Sequence, residues 1–241
     1  GSENTVSGSH VARIYQEGTT KKLHKYDGAF YSKMSMNLDG DAESTGILNI
    51  VADNEGLNSE LHLTINGGII NISAQDDGIN TNEDYISVTT INGGTLTIDA
   101  GLGSEGDGID SNGYLTINGG TIYSYANGRS GDGGLDADSP ITINGGTIIA
   151  FGSRNDAADS ASAQPYMELS FATTLPDGSV VEIRDTEDNP ILSATAKKDF
   201  QSLTLSSGDL ALDTTYYVYV DGVQQQYTGN ASGFIGGMGP Q

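Results

Sequence analysis

Apolar and polar residues alternate in short runs along most of this 241-residue chain, and the runs recur at a fixed interval. The string Thr-Ile-Asn-Gly-Gly begins at Thr64, Thr90, Thr116 and Thr142, so successive copies lie 26 residues apart. Alternation with a period of two is typical of β-strands, and self-similarity at this interval is typical of stacked repeats. The pattern therefore predicts a solenoid in which each coil contains one copy of the string.

Each repeat contains two further alternating runs after the Asn-Gly-Gly corner and leaves no room for a helix. The apolar residues of these runs form two more columns: Ile70, Leu96, Ile122 and Ile148, and then Leu57, Ile79, Ile109 and Leu135. Asparagine and glycine tolerate the backbone angles of a sharp corner, and one coil alone cannot bury its apolar row. We therefore predict an all-β fold, a right-handed parallel β-helix with three strands per coil.

The repeat pattern divides the chain into four segments. Residues 1–35 are polar and are expected to form a lead-in or N-terminal cap, and residues 36–160 are expected to form about five coils of the β-helix. Residues 161–228 alternate like antiparallel strands between turn signals, which predicts a small antiparallel β appendage that closes the end of the stack. Residues 229–241 are expected to be a Gly-rich flexible tail. Gly1-Ser2 resembles an expression remnant, which suggests that a signal peptide or anchor was removed.

Two polar rows accompany the apolar columns. Asn66, Asn92, Asn118 and Asn144 are predicted to stack as a ladder that satisfies polar groups at the corner. The threonine that opens each repeat points outward. Threonine rows also occur on ice-binding solenoids, but this row is one residue wide, and the strand preference of β-branched residues explains it better.

The composition narrows the possible functions. The chain has 32 acidic and 10 basic residues, a net charge of −22, and no cysteine. This charge repels phosphate backbones, so no nucleic-acid partner is expected. Disulfide and thiolate chemistry are excluded, and no apolar stretch is long enough to span a membrane. The carboxylates form either a solvated surface or a site for cations.

Aligning the third strands places oxygen-bearing side chains in columns along one flank, which we call the acidic edge. The predicted metal ligands are Asp76, Asp77, Asn80, Asn82, Asp107, Asp110, Asn112, Asp132, Asp136 and Asp138, and the columns continue at Glu55, Asn58 and Glu60. Stacked strands lie about 4.8 Å apart, so unshielded carboxylates in these columns would repel. Calcium binds hard oxygen ligands and can bridge neighbouring coils, which favours calcium over zinc or copper. The alternative is a polar turn in which Asp and Asn serve only backbone geometry.

A second outward patch is aromatic. Tyr123 and Tyr125 alternate on one strand, and Phe151 occupies the place of Tyr125 one coil later. These rings could stack on sugars, but the C-terminal appendage follows directly, and packing against it is the favoured interpretation.

The motifs resemble those of the secreted carbohydrate-binding β-helix proteins, pectate-lyase-like in fold, of cellulosome-forming clostridia and related bacteria. The residues that carry the resemblance are the Thr-Ile-Asn-Gly-Gly repeats, Asp77–Asn80, Gly106–Gly113 and the Gly-Gly-Met-Gly-Pro string near the C-terminus. Gly133 and Asp39 depart from the family's pattern. The resemblance covers residues 36–241 and implies a secreted or cell-surface bacterial protein that binds calcium at the acidic edge. It also implies binding of plant cell-wall polysaccharide, preferably polygalacturonate (pectin), with cellulose as a further ligand.

The expected function is thus calcium-dependent carbohydrate binding rather than catalysis. The enzymatic alternative is a calcium-dependent pectate-type polysaccharide lyase, in which Arg129 or Arg154 would be the catalytic base. The structural alternative is a surface adhesin or spacer that binds no glycan.

Overall fold

The computed structural model describes residues 3–8, 11–15, 22–38, 40–41 and 44–226. The predicted tail at 229–241, the Gly-Gly-Met-Gly-Pro string and Asp39 lie outside these residues. Within the described ranges no helix is long and apolar enough to cross a bilayer.

The described chain is built from β-strands that are numbered here in chain order. The first nine are β1 (Glu3–Gly8), β2 (Val11–Tyr15), β3 (Lys22–Tyr26), β4 (Gly28–Ser32), β5 (Ser35–Leu38), β6 (Ile47–Ala52), β7 (Glu55–Ser59), β8 (His62–Ile65) and β9 (Ile69–Ala74). The next nine are β10 (Ile79–Thr81), β11 (Val88–Ile91), β12 (Thr95–Asp99), β13 (Ile109–Ser111), β14 (Tyr114–Ile117), β15 (Thr121–Tyr125), β16 (Leu135–Ala137), β17 (Ile141–Ile143) and β18 (Thr147–Gly152). The last six are β19 (Tyr166–Leu175), β20 (Val180–Arg184), β21 (Pro190–Thr195), β22 (Phe200–Ser206), β23 (Tyr217–Val220) and β24 (Val223–Gln224).

Three parallel sheets run along the stack. Sheet I has the order β5-β8-β11-β14-β17, sheet II runs β1-β6-β9-β12-β15-β18 before two antiparallel strands, and sheet III has the order β4-β7-β10-β13-β16. Equivalent residues of successive repeats pair directly, as Thr64, Thr90 and Thr116 do. The prediction of an all-β parallel β-helix with a coil of about 26 residues and about five coils is confirmed.

Stacked apolar columns fill the interior. Ile65, Ile91 and Ile117 are fully buried, as are the matching residues of the other two sheets. Thr89 interrupts the apolar column of sheet I but is also fully buried. Its hydroxyl lies 3.1 Å from that of Thr81, which in turn lies 2.8 Å from the hydroxyl of Ser111, so the polar exception is satisfied inside the core.

The corner asparagines form the predicted ladder. Asn92 donates its side-chain N–H to Oδ1 of Asn66 at 2.8 Å, and Asn118 and Asn144 each donate to the preceding asparagine at 2.9 Å. Each rung is a side-chain hydrogen bond between adjacent coils, and the ladder therefore fixes the register of the corners.

Strands before Met36 also belong to the stack. β1 pairs parallel with β6, and β4 pairs parallel with β7, so both extend sheets that were expected to begin later. The repeat pattern does not reveal them because β1 is almost entirely polar and both strands lie before the first complete repeat. β2 and β3 form a separate antiparallel pair.

The C-terminal strands cover one end of sheet II. β22 pairs antiparallel with β18, and β19 pairs with the far side of β22, while β20, β21, β23 and β24 form a four-stranded antiparallel sheet. A second core forms between these strands and the stack. In it Phe151 stacks on Tyr125 with ring centroids 5.5 Å apart and meets Phe200 edge-on at 4.9 Å.

The aromatic patch therefore packs against the appendage. Tyr125 and Phe151 are only 5% and 1% exposed, and Tyr123 packs against the same core. Stacking of sugars on Tyr125 and Phe151, one of the two uses considered above, is corrected by this burial, because a ligand cannot reach these two rings. Tyr123 is half-buried, and sugar stacking on it stays a prediction.

The stacked columns predict that substitutions at inward and outward positions of the same strand change the free energy of unfolding by different amounts. Ile117→Ala should lower the free energy of unfolding by about 2–5 kcal/mol, because it opens a cavity in the middle of the core. Thr116→Ala, on the half-exposed outer face of the same strand, should cost less than about 1 kcal/mol. Denaturant unfolding followed by circular dichroism measures both, and equal effects would contradict the assignment of inward and outward faces.

Candidate metal centre

The acidic edge is formed by the strands of sheet III and by the turn that precedes each of them. Strand pairing aligns Asn58, Asn80, Asp110 and Asp136 in one column. In the turn, the backbone N–H of Gly56 bonds to the carbonyl of Asp77, and that of Gly78 bonds to the carbonyl of Asp107. These bonds align a second column, made of Glu55, Asp77 and Asp107. The predicted residues thus lie in vertical register.

One group in these columns brings three carboxylates together. Oxygen atoms of Glu55, Asp76 and Asp77 all lie within 4.8 Å of one another. Two oxygens bound to one calcium ion lie at most about 5 Å apart, since each Ca–O distance is about 2.3–2.6 Å. Glu55 and Asp77 are 3% and 9% exposed, so this is a partly enclosed site rather than an open acidic surface. The group could hold a metal ion.

Asparagine side chains tie this carboxylate group together. Asn80 donates to Oε1 of Glu55 at 3.0 Å and to Oδ2 of Asp77 at 3.2 Å, and Asn58 donates to the other oxygen of Glu55. Asn80 is 7% exposed, and its Oδ1 has no hydrogen-bond partner among the described residues. A buried acceptor without a donor is costly, and a cation is one partner that would satisfy it.

The electrostatics of the site oppose several unshielded charges. Burial, followed by the charges of Asp110 and Asp76, raises the pKa of Asp77 well above its ordinary value. Burial likewise raises the pKa of Asp107 and of Asp110 to about 8, with the neighbouring carboxylates adding to the shift. At neutral pH these groups must therefore take up protons or share a cation.

The carboxylates also carry backbone contacts between coils. The N–H of Asp107 donates to Oδ1 of Asp77 at 2.8 Å, and the N–H of Gly133 donates to Oδ1 of Asp107 at 2.5 Å. Asp77 and Asp107 thus each accept the equivalent N–H of the next coil. Gly133 ends this column because it has no carboxylate of its own.

The strand column continues one residue further than the sequence analysis predicted. Asp156 follows Asp136, since its backbone N–H bonds to the carbonyl of Leu135 at 3.0 Å. Burial, followed by a side-chain hydrogen bond with Asp156, raises the pKa of Asp136 to about 7. The signal in the sequence was the repetition of Asp136-Ala137 as Asp156-Ala157, which the loss of the surrounding repeat obscured.

The other predicted ligands lie around this group and bond to adjacent coils. Asn82 donates to Oδ1 of Asn58 at 3.2 Å, and Asn112 donates to the carbonyl of Asn82 at 3.0 Å. Asp132 accepts the N–H of Gly106 at 2.6 Å, and Asp138 is exposed. The contacts seen for Asn82, Asn112 and Asp132 join coils to one another.

The two arginines considered as catalytic bases lie in different surroundings. Arg154 is 3.7 Å from Asp156, at the end of the strand column. Arg129 is 82% exposed and pairs with Asp199 at 2.9 Å. It lines a groove of about 480 Å³ between the stack and the C-terminal strands, together with Lys197 and Lys198.

Comparison with known proteins gives one family. A family model described as "carbohydrate-binding domain-containing protein" matches residues 1–226. No curated protein and no solved structure matches the chain.

The raised pKa values predict how stability depends on pH when metal is absent. A carboxyl group whose pKa is higher in the folded than in the unfolded chain stabilises the fold fully below the unfolded pKa of about 3.9. That contribution is lost as the pH rises through the folded pKa, which is about 8 for Asp107 and Asp110. Thermal unfolding in a chelating buffer should therefore show stability falling between about pH 4 and pH 8.

A substitution isolates this effect from the general charge of the protein. Asp107→Asn keeps the acceptor for Gly133 but removes the charge, so it should stabilise the metal-free protein at pH 8 and flatten the pH profile. Asp213→Asn, which neutralises an exposed carboxylate, is the matched control. Identical profiles for both variants would show that the acidic edge does not control the pH dependence.

Proposed function

Because the chain belongs to the family of carbohydrate-binding domain-containing proteins, we propose that it is a calcium-dependent binding protein for acidic plant cell-wall polysaccharide. The polysaccharide we favour is polygalacturonate, the backbone of pectin, with cellulose as a further ligand. We place the protein outside a bacterial cell, secreted or at the cell surface. The observation that carries the proposal is the buried group of Glu55, Asp76 and Asp77 around Asn80.

The donor chemistry of this group supports calcium. The candidate ligands are carboxylate and amide oxygens, which are hard donors, and the chain has no cysteine to favour a softer metal. Asn80 already contacts two of the carboxylates, and rotating its amide would turn the unpartnered Oδ1 towards a cation held between them. When bound, calcium would neutralise charges that otherwise repel.

The charge of the protein supports an acidic polymer held through metal. A protein with a net charge of −22 repels a polyuronate overall, so the polymer can bind at the acidic edge only if cations lie between the two. Calcium can take oxygens from both, because it accepts six to eight ligands and three carboxylates leave positions open. The columns of the acidic edge repeat at the coil spacing of about 4.8 Å, so a periodic polymer can meet equivalent groups on successive coils.

Arg154 is the observation that keeps a lyase as the second candidate. Its guanidinium lies beside Asp156 at the end of the strand column, and a lyase needs a base close to metal-bound uronate. Against this, the family description names carbohydrate binding and no reaction.

The calcium proposal makes a prediction for single ligands. Glu55→Gln should weaken calcium binding by about tenfold or more, because it removes one charged ligand and disturbs the asparagines bonded to it. Glu187→Gln, on an exposed turn of the C-terminal sheet, makes the same chemical change far from the site and should leave affinity unaltered. Calorimetric titration with calcium measures both, and equal affinities would remove Glu55, Asp76 and Asp77 as the centre.

The polysaccharide proposal makes a second prediction. Oligogalacturonate should bind the calcium-loaded protein, and the heat of binding should disappear when calcium is chelated. Incubation with polygalacturonate and calcium should yield no unsaturated product. If such product accumulates with the wild-type protein and not with Arg154→Ala, the lyase is the correct assignment. If no glycan binds with or without calcium, the spacer alternative replaces the proposal.

A further inference from the structure

Three large side chains are exposed together beside the acidic edge. Tyr85 is 66% exposed, Ile86 is 61% exposed and Tyr114 is 43% exposed, and we call these three residues the tyrosine platform. Among the described residues, the Tyr85 ring makes no hydrogen bond and no ring contact. Soluble proteins seldom expose aromatic rings in groups unless the group binds a partner.

Two of the three platform residues, Tyr85 and Ile86, lie on a loop that is longer than the equivalent connections of the other coils. Six residues, 82–87, connect β10 to β11, whereas two residues connect β7 to β8 and two connect β13 to β14. The additional length is confined to this corner of one coil and supplies both Tyr85 and Ile86. The repeat itself does not require these residues, so the stacking of coils does not explain them.

Tyr85 has a strained backbone. Its φ angle is 60°, a left-handed conformation that a bulky aromatic residue rarely adopts. Strain of this kind persists only where neighbouring contacts impose it, and it is concentrated at functional sites. The ring stays exposed in spite of the strain, so burial of the ring does not explain the conformation.

Hydrogen bonds hold the loop in this conformation. The N–H of Tyr85 donates to the carbonyl of Asn112 at 2.5 Å, and the N–H of Ser87 donates to the carbonyl of Glu83 at 3.0 Å. The side chain of Asn112 also donates to Asp84 at 3.2 Å. The loop is therefore fixed at both ends and across the next coil. A loop whose backbone is already fixed loses little conformational freedom when a ligand binds.

The polar surroundings of the ring suit a sugar. Asn112 belongs to the acidic edge, and Glu83 and Asp84 are exposed on the same loop. A pyranose ring has an apolar C–H face and a rim of hydroxyl groups, so it needs a flat apolar surface bordered by hydrogen-bonding side chains. The tyrosine platform and its border provide both.

We propose that Tyr85, supported by Ile86 and Tyr114, is the stacking platform for a sugar ring of the polysaccharide bound at the acidic edge. This inference rests on the proposed function and adds a second, metal-independent contact to it. The metal would hold carboxylate groups of the polymer, while the platform holds the face of a neighbouring ring.

Two substitutions at Tyr85 separate the ring from the backbone. Tyr85→Phe keeps the ring and should bind oligogalacturonate in the presence of calcium within about twofold of wild type. Tyr85→Asn removes the ring, but asparagine tolerates positive φ, so the loop should keep its conformation. We expect Tyr85→Asn to lose about tenfold in glycan affinity, equivalent to about 1.4 kcal/mol, with calcium affinity unchanged.

Stability distinguishes a binding residue from a structural one. Because Tyr85→Asn relieves backbone strain, its thermal midpoint should equal or exceed that of wild type. Leu212→Asn, which removes another exposed apolar side chain (55% exposed), is the control and should leave glycan affinity unchanged. A fall in stability without a fall in affinity would overturn the proposal, because Tyr85 would then be structural.

A spectroscopic readout tests whether the ring meets the ligand. The chain has no tryptophan, so Tyr85→Trp introduces a single indole at the platform. Its emission should shift when oligogalacturonate is added to the calcium-loaded protein, and it should not shift with calcium alone.

If wild type binds the glycan but the indole does not respond and Tyr85→Asn binds equally well, the platform is wrong and the proposed function stands. If wild type binds no glycan, both are wrong. If Tyr85→Asn abolishes self-association with glycan affinity unchanged, the platform is a contact between copies of the chain.

Discussion

Each side chain in the parallel stack lies next to the equivalent side chain of the neighbouring coil. The parallel pairing places residue upon equivalent residue at the coil spacing of about 4.8 Å, so the chemistry of each column is decided by self-interaction. Isoleucine gains from this arrangement because apolar surfaces bury one another, and asparagine gains because its amide both donates and accepts. A carboxylate is destabilised by this arrangement, since like charges repel at that distance. At the acidic edge, which includes the column of Glu55, Asp77 and Asp107, the repeat therefore works against the stability of the fold.

The repulsion between stacked carboxylates explains why the acidic edge is also the candidate functional site. Burial and mutual repulsion raise the pKa of its carboxyl groups, and the asparagines bonded to Glu55 and Asp77 keep them in place. A group held in an unfavourable charge state has a ready partner in a divalent cation. The same repeat that builds the core thus builds a carboxylate group that could hold a cation, without any dedicated loop, because side chains from separate coils are already in register.

The repeating features of the structure could be predicted from the sequence, because the 26-residue period determines which residues lie next to each other on neighbouring coils. The apolar columns, the asparagine ladder and the register of Asn80, Asp110 and Asp136 all follow from the 26-residue interval. Features outside the repeat were harder to predict. β1 is paired but has no apolar pattern, and Asp156 lies where the motif has decayed. The packing of Phe151 against the C-terminal strands could be predicted because these strands follow it directly, but the φ angle of Tyr85 arises from a contact with the next coil and is not encoded in neighbouring residues.

The reversal of strand direction between β18 and β22 has a consequence for growth of the solenoid. A parallel stack that ended on an open strand could accept another chain in the same orientation and elongate as a fibre. Here β22 runs the opposite way and is itself covered by β19, so the outermost backbone groups no longer match an incoming coil of the same kind. The antiparallel strands β22 and β19 therefore prevent another copy of the chain from adding to this end of sheet II.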